Sequence, residues 1–293
     1  MRNEQEILSL ILNVARGDER IRAVFMNGSR TNPNVKKDIY QDYDIVFVVT
    51  ETESFINDKD WILVFGEPAI VQEPDLVDIG FDIKHDFSLS YAWLMLFKDG
   101  NRIDLSIKVL DKVLEEYGQD KLTVLLLDKD NCLPPILPPT DEDYRVKKPG
   151  QLQFSSCCNE FWWCLNNVAK GIARDELPYA MWMYNVVVRN MLVKMLEWYI
   201  GINTDFTVSA GKLGKYFKKY LPEELYEMYA KTYSDSDYMH FWTAVFLSCD
   251  LFRITARAVA KQLELTYNQS EDTNMIEYME KVKDNYFIRE TSY

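Results

Sequence analysis

The chain has 293 residues, about two domains' worth by length, and 47% of them are hydrophobic, enough for two buried cores. It carries 46 Asp and Glu against 33 Lys and Arg, a formal net charge of −13. Such a surface repels phosphate backbones and attracts cations, and no basic stripe is present, so a nucleic-acid partner is not expected.

Residues Asn3 to Ala15 place Ile7, Leu10, Ile11 and Val14 at helical spacing, which predicts an amphipathic helix rather than a signal peptide. Ile21 to Met26 reads as a strand that ends at Asn27-Gly28-Ser29. A polar loop follows, and then a strand from Asp42 to Val49 whose later half is continuously apolar, the mark of a central, buried strand. Tyr91 to Phe97 and Arg102 to Val109 form two further strands around Asp99-Gly100, a hairpin signal. A short strand from Leu122 to Leu127 leads into the proline-rich CLPPILPPT of Cys132 to Thr140, read as an extended linker.

Beyond the linker the apolar period becomes 3.6 and stays there. One helix presents Phe154, Cys158, Phe161, Leu165, Val168 and Ile172, a second runs from about Glu176 to Ile200, and a third from about Asp237 to Leu265. The expected architecture is α+β, a mixed-sheet domain over residues 1–131, a linker over 132–148 and an all-helical domain over 149–293. The polar stretch Asn268 to Thr273 and the last few residues are where disorder is expected. No apolar stretch is long enough for a membrane span. The five cysteines lack CxxC spacing and read as small buried hydrophobes in a reducing, cytoplasmic protein. Only two histidines occur, His85 and His240, and neither has a flanking motif for zinc or for a nucleophile pair. Carboxylates are left to carry the chemistry.

Asp42 and Asp44 fall on the same face of one strand, because strand side chains alternate. Two carboxylates so placed repel unless a cation lies between them, and magnesium, with its preference for carboxylate and phosphate oxygens, is the expected one. A solvated strand end would give the same pair. Gly28-Ser29-Arg30 ends the preceding strand, and a glycine turn of this kind exposes backbone amides to an anion, with Ser29 and Arg30 as further donors. Asp104 is an acid inside an apolar strand and needs a partner, which a metal or an ion pair with Arg102 or Lys108 would supply.

Gly28-Ser29, twelve residues, Asp42-x-Asp44 and a third acid on a later strand resemble the polymerase-β-like nucleotidyltransferases. GSRTN, QDYDIVFVV, RIDLSI, LLDKD and CCNEFWW are similar to segments of the aminoglycoside 6-adenylyltransferases, which modify streptomycin, and the resemblance covers nearly the whole chain. It implies a polymerase-β-like N-terminal domain and transfer of AMP from ATP to a drug hydroxyl, with two magnesium ions. Asp42 and Asp44 would hold the metal that carries the triphosphate, and Asp104 would complete the second metal site. The base is Asp104 or a separate acid. The resemblance further implies Arg189, Lys212 (with Lys215 as its rival) and Tyr233 as triphosphate ligands. Arg189 lies in an apolar helix, so it requires an anion, either a phosphate or a buried Asp or Glu.

The guanidinium groups of such a drug pair with carboxylates and stack on aromatic rings. Glu160 beside Phe161, Trp162 and Trp163, and Asp175 and Glu176 ahead of Trp182, are the candidates. Asp175 and Glu176 would equally serve a helix N-terminus. The rival functions are a transferase acting on RNA ends or a protein, and an inactive nucleotide-binding or antitoxin-like module. The acidic balance speaks against RNA, and the three retained acids speak against inactivity.

Overall fold

The computed structural model describes residues 1–290, with side chains described through residue 285. The chain divides into two compact units, the first from Met1 to Asp143 and the second beginning at Tyr144.

The first unit is built on a six-stranded mixed sheet, in the order β3-β4-β5-β2-β1-β6. Its strands are β1 (Ile21–Asn27), β2 (Tyr43–Val49), β3 (Pro68–Gln72), β4 (Ser90–Phe97), β5 (Arg102–Val109) and β6 (Thr123–Asp128). The apolar run of β2 is explained by its position. Ile45, Phe47 and Val49 pack into a core with Ile7 and Ile11 of helix α1 (Glu4–Gly17), while Val46 and Val48 pack on the opposite side with Phe25 and Val113. A strand covered on both faces cannot alternate in polarity. Asp99 and Gly100 turn β4 into β5, with Gly100 at φ 86°.

Three short helices, α2 (Glu53–Asn57), α3 (Pro74–Gly80) and α4 (Leu110–Glu116), and the strand β3 carry too few residues to show a period in the sequence. β1 and β2 pair antiparallel, whereas β2 and β5 pair in parallel, with Asp44 opposite Asp104.

The second unit is helical. Its elements are α5 (Gln151–Ala173), α6 (Leu177–Trp182), α7 (Arg189–Asn203), α8 (Phe217–Tyr220), α9 (Glu223–Lys231), α10 (Tyr238–Leu263) and α11 (Gln269–Glu290). The predicted apolar stripe of α5 is buried throughout, and so are Phe241, Trp242, Val245, Cys249, Phe252 and Ala256 of α10. Between α6 and α7 a π-helical turn, Met183–Val188, interrupts what the sequence presents as one helix.

The expectation of disorder at Asn268 to Thr273 is overturned. This stretch opens α11, and Asp272 is only 1% exposed, bound through both carboxylate oxygens by Arg253 at 2.7 and 2.6 Å. Its partner lies 19 residues earlier on α10, so local polarity carried no trace of it. The last residues, 291–293, lie outside the described part. Cys157, Cys158, Cys164 and Cys249 are buried, while Cys132 is half-buried. Among the described residues no helix is long and apolar enough to cross a membrane.

Candidate active site

β1 ends at Asn27, and Gly28 follows at φ 78°, a conformation that side-chain-bearing residues rarely adopt. A Cβ at Gly28 would stand 2.0 Å from Oδ2 of Asp44. Glycine is required here twice over, by the backbone angle and by the carboxylate beside it. Gly28→Ala is expected to cut transfer at least tenfold by pushing Asp44 aside; a turnover assay beside circular dichroism checks that the fold survives.

Asp44 of β2 and Asp104 of β5 are in register on adjacent parallel strands. They line a small cleft of about 320 Å³ together with Asn27, Gly28, Ser106, Lys108 and Asp120. Asp42 stands one residue before β2 and not within it. Arg102 ties the acids together: Nε and Nη2 donate to the two oxygens of Asp104, each at 2.7 Å, and Nη1 lies 3.6 Å from Asp42. Of the two ion-pair partners considered for Asp104, the structure uses Arg102, since Lys108 pairs with Glu116 at 2.6 Å.

One guanidinium does not neutralise the cluster. Burial, then the charges of Asp104 and Asp42, raise the carboxyl of Asp44 to about 6. Asp42 is also shifted upward, chiefly by burial, with Arg102 opposing. Among the described residues no three Asp, Glu, His or Cys side chains stand close enough to hold a metal ion as they are. Both oxygens of Asp104 are engaged by Arg102. The donor set still suits a hard divalent cation: it is all carboxylate, like-charged, and Asp44 packs closely against the glycine turn.

Ser29 opens a tight turn, Ser29–Thr31, and Gln41 binds its carbonyl at 3.2 Å. Arg30, expected as a further donor to an anion, is buried and committed elsewhere. Its Nε and Nη2 hold the carbonyls of Asp42 and Gln41 at 3.1 and 2.7 Å, and its guanidinium lies 3.7 Å from the Tyr43 ring centre. It fixes the approach to β2 instead of facing the cleft.

In the second unit Arg189 and Tyr233 come together. Arg189 is 5% exposed, and the Tyr233 ring centre lies 3.7 Å from its guanidinium, with Tyr229 at 5.1 Å. Among the described residues no carboxylate pairs with Arg189, and its buried Nη2 has no hydrogen-bond partner. Lys212 and Glu160 meet elsewhere in this unit, across a cleft of about 900 Å³ that also includes Lys147, Lys194 and Glu197. Lys215 instead lies over the Tyr216 ring.

Glu160 does not lie among the aromatic residues adjacent to it in sequence; Tyr144 and Trp198 line its cleft instead. Phe161 and Trp162 point into the core, and only Trp163 is exposed, because consecutive residues of a helix face different ways. Asp175 follows the end of α5 in the left-handed region, φ 59°, and accepts from Tyr238 at 2.9 Å. Glu176 precedes α6 without capping it through its side chain, and Trp182 is exposed. His85 lies between Asp75 and Asp78, and His240 pairs with Asp235. Asp120 was missed in the sequence: only the pairing of β6 with β1 brings its loop to Gly28, and no local motif announces it.

A mixed sheet bearing in-register carboxylates beside a glycine turn, followed by a helical unit, is the arrangement expected of a polymerase-β-like nucleotidyltransferase. A family model described as streptomycin adenylyltransferase matches residues 1–282. An aminoglycoside 6-adenylyltransferase of Campylobacter jejuni is 42% identical over 292 residues, covering 99% of this chain and 96% of that one. Another, from Bacillus subtilis (strain 168), is 36% identical over 284 residues, with 96% and 98% covered. A crystal structure of an aminoglycoside 6-adenyltransferase from Bacillus subtilis is 32% identical, covers 97% of this chain and 99% of its own, and has a TM-score of 0.48. The chain belongs to the streptomycin adenylyltransferase family.

Proposed function

We propose that this chain transfers AMP from ATP to a hydroxyl of an aminoglycoside, the 6-hydroxyl of streptomycin, and releases pyrophosphate. The observation that carries this reading is the register of Asp44 and Asp104 beside Gly28. Magnesium held by Asp42, Asp44 and Asp104 would neutralise the triphosphate and polarise the α-phosphate, chemistry that rests on positioning and electrostatics.

Asp104 accepts the proton of the attacking hydroxyl, and the amides of Gly28 and Ser29 face the phosphates. Arg189 and Tyr233, which lie together, bind the triphosphate, whereas Lys212 faces the cleft it lines with Glu160. Glu160, Asp175, Glu176 and Trp182 receive the cationic drug, which suits a chain with a net charge of −13. The test is incubation with magnesium, ATP and streptomycin, followed by pyrophosphate measurement and location of AMP on the product by NMR. Pyrophosphate release that does not depend on any aminoglycoside would overturn the reading.

Arg189→Met tests the nucleotide half. A buried cation with no carboxylate partner is costly, so removing it should leave the melting temperature unchanged or higher, while the KM for ATP rises at least tenfold and that for the drug stays put. A melting temperature lowered by many degrees would show instead that Arg189 holds the core together.

A further inference from the structure

Arg189 is surrounded by buried polar groups that the proposed chemistry does not use. Thr232, Tyr184 and Ser248 are each 0% exposed. The Thr232 hydroxyl donates its one proton to the carbonyl of Tyr229 at 2.7 Å. Its lone pairs are thereby turned to Arg189, whose Nη1 donates to the same oxygen. The Tyr184 hydroxyl lies 2.7 Å from the carbonyl of Thr232 and 2.6 Å from the Ser248 hydroxyl, so it ties the Thr232 backbone to α10. Thr232 thus holds one edge of the guanidinium, and Tyr184 and Ser248 hold Thr232. Its other edge, at Nη2, is buried without a partner.

The π turn completes this arrangement. In an unbroken α-helix Arg189 would lie over Asn185 and Val186, four and three residues back, and both are exposed. The turn Met183–Val188 widens the spacing to five, which sets Arg189 over Tyr184 on the buried face. Its guanidinium centre is 5.9 Å from that ring. A π turn sacrifices regular hydrogen bonding, and here it delivers a cation into the interior, where burial of charge is unfavourable. Three tyrosine rings and the Thr232 hydroxyl stabilise the cation there. None of them carries the negative charge that a guanidinium pairs with, and an anion would supply it.

We infer that Thr232 is a positioning residue that, with Tyr184 and the π turn, fixes the orientation in which Arg189 meets the phosphate chain of the nucleotide. The inference rests on the assignment of Arg189 to phosphate and adds the device that aims it. The Thr232 hydroxyl matters as an acceptor, so a methyl in its place leaves Nη1 as well as Nη2 without a partner and frees the guanidinium to turn. Serine retains the acceptor.

The test is calorimetric titration of the whole chain with inorganic tripolyphosphate, free of metal and drug. Arg189→Met should abolish binding, Thr232→Val should weaken it about tenfold, and Thr232→Ser should stay within about twofold of the parent. Tyr184→Phe, a milder change, should weaken it a few-fold. Thr232→Val added to Arg189→Met should change nothing further. In turnover, Thr232→Val should raise the KM for ATP with kcat and the drug KM held, a split that loosened packing alone would not give. Parent-like tripolyphosphate binding by Arg189→Met would refute the phosphate assignment itself. Loss in Arg189→Met with parent-like binding in Thr232→Val and Tyr184→Phe would refute the positioning role alone. Should Thr232→Val fold poorly, Thr232→Ser and Tyr184→Phe decide: equal weakening in both would overturn the acceptor argument.

Discussion

Asp44→Asn is expected to abolish transfer and, at the same time, to make the metal-free protein more stable at neutral pH. The two effects have one origin. Burial and the neighbouring carboxylates raise Asp44 to about 6, against an ordinary value of 3.8. Between those two pH values the folded chain binds more protons than the unfolded chain at this site. Stability of the metal-free protein therefore falls as pH rises through that window, and the full penalty is present at pH 7 and above.

A shift of two units corresponds to about 3 kcal/mol, which partial exposure and screening reduce to about 1–2 kcal/mol. Asparagine keeps the shape and removes the charge, so the melting temperature should rise by about 2–6 °C at pH 7.5 and not at all below pH 4. Magnesium should stabilise the parent more at pH 7.5 than at pH 5, where protons compete for Asp44, and should do little for the variant. Differential scanning calorimetry of parent and variant at pH 7.5, at pH 5 and below pH 4, with and without magnesium, measures each of these effects. An unchanged melting temperature in metal-free Asp44→Asn would mean that Arg102 neutralises the cluster by itself.

The framework of this site was legible in the sequence because it rests on local patterns. The Gly28 turn and an acid within an apolar strand follow from the backbone freedom of glycine and from period two, whereas Asp42, expected on the strand beside Asp44, stands one residue before it. Non-local pairings were not legible. Asp120 reaches the cleft only because β6 lies against β1, and Asp272 is ordered only because Arg253 waits on the neighbouring helix. Arg30 was misassigned for a related reason. Its sequence neighbourhood suggests a loop cation, but the loop folds back so that Tyr43 and the carbonyls of Gln41 and Asp42 consume it. The π turn is invisible to a search for a 3.6-residue period, since the apolar residues on both sides of it still fit one. The aromatic residues beside Glu160 misled in the opposite direction: adjacency in a helix is not adjacency in space.

Asp104→Asn separates proton acceptance from nucleotide binding and is expected to lower turnover by two to four orders of magnitude. Asp104 sits opposite Asp44 across a rigid pair of parallel strands, so the amide should occupy the same position without disturbing the sheet. ATP should still bind through Asp42 and Asp44, with an affinity within about tenfold of the parent, because the first metal keeps two of its carboxylates. The substitution also releases Arg102, whose Nε and Nη2 now donate to Asp104 at 2.7 Å each. An amide oxygen accepts more weakly than a carboxylate, and Asp42, already within 3.6 Å of Nη1, is the nearest alternative partner. Arg102→Gln in the Asp104→Asn background removes that complication, and the chemical defect should persist in it unchanged. Asp104→Glu returns the charge one methylene further out and should recover part of the turnover, since a base acts only within hydrogen-bond reach of its proton. Equilibrium ATP binding beside single-turnover transfer decides the assignment. If Asp104→Asn loses ATP binding and shows no separate chemical defect at saturating nucleotide, Asp104 only organises the nucleotide, and Glu160, which lines the cleft with Lys212, becomes the acid to test as base.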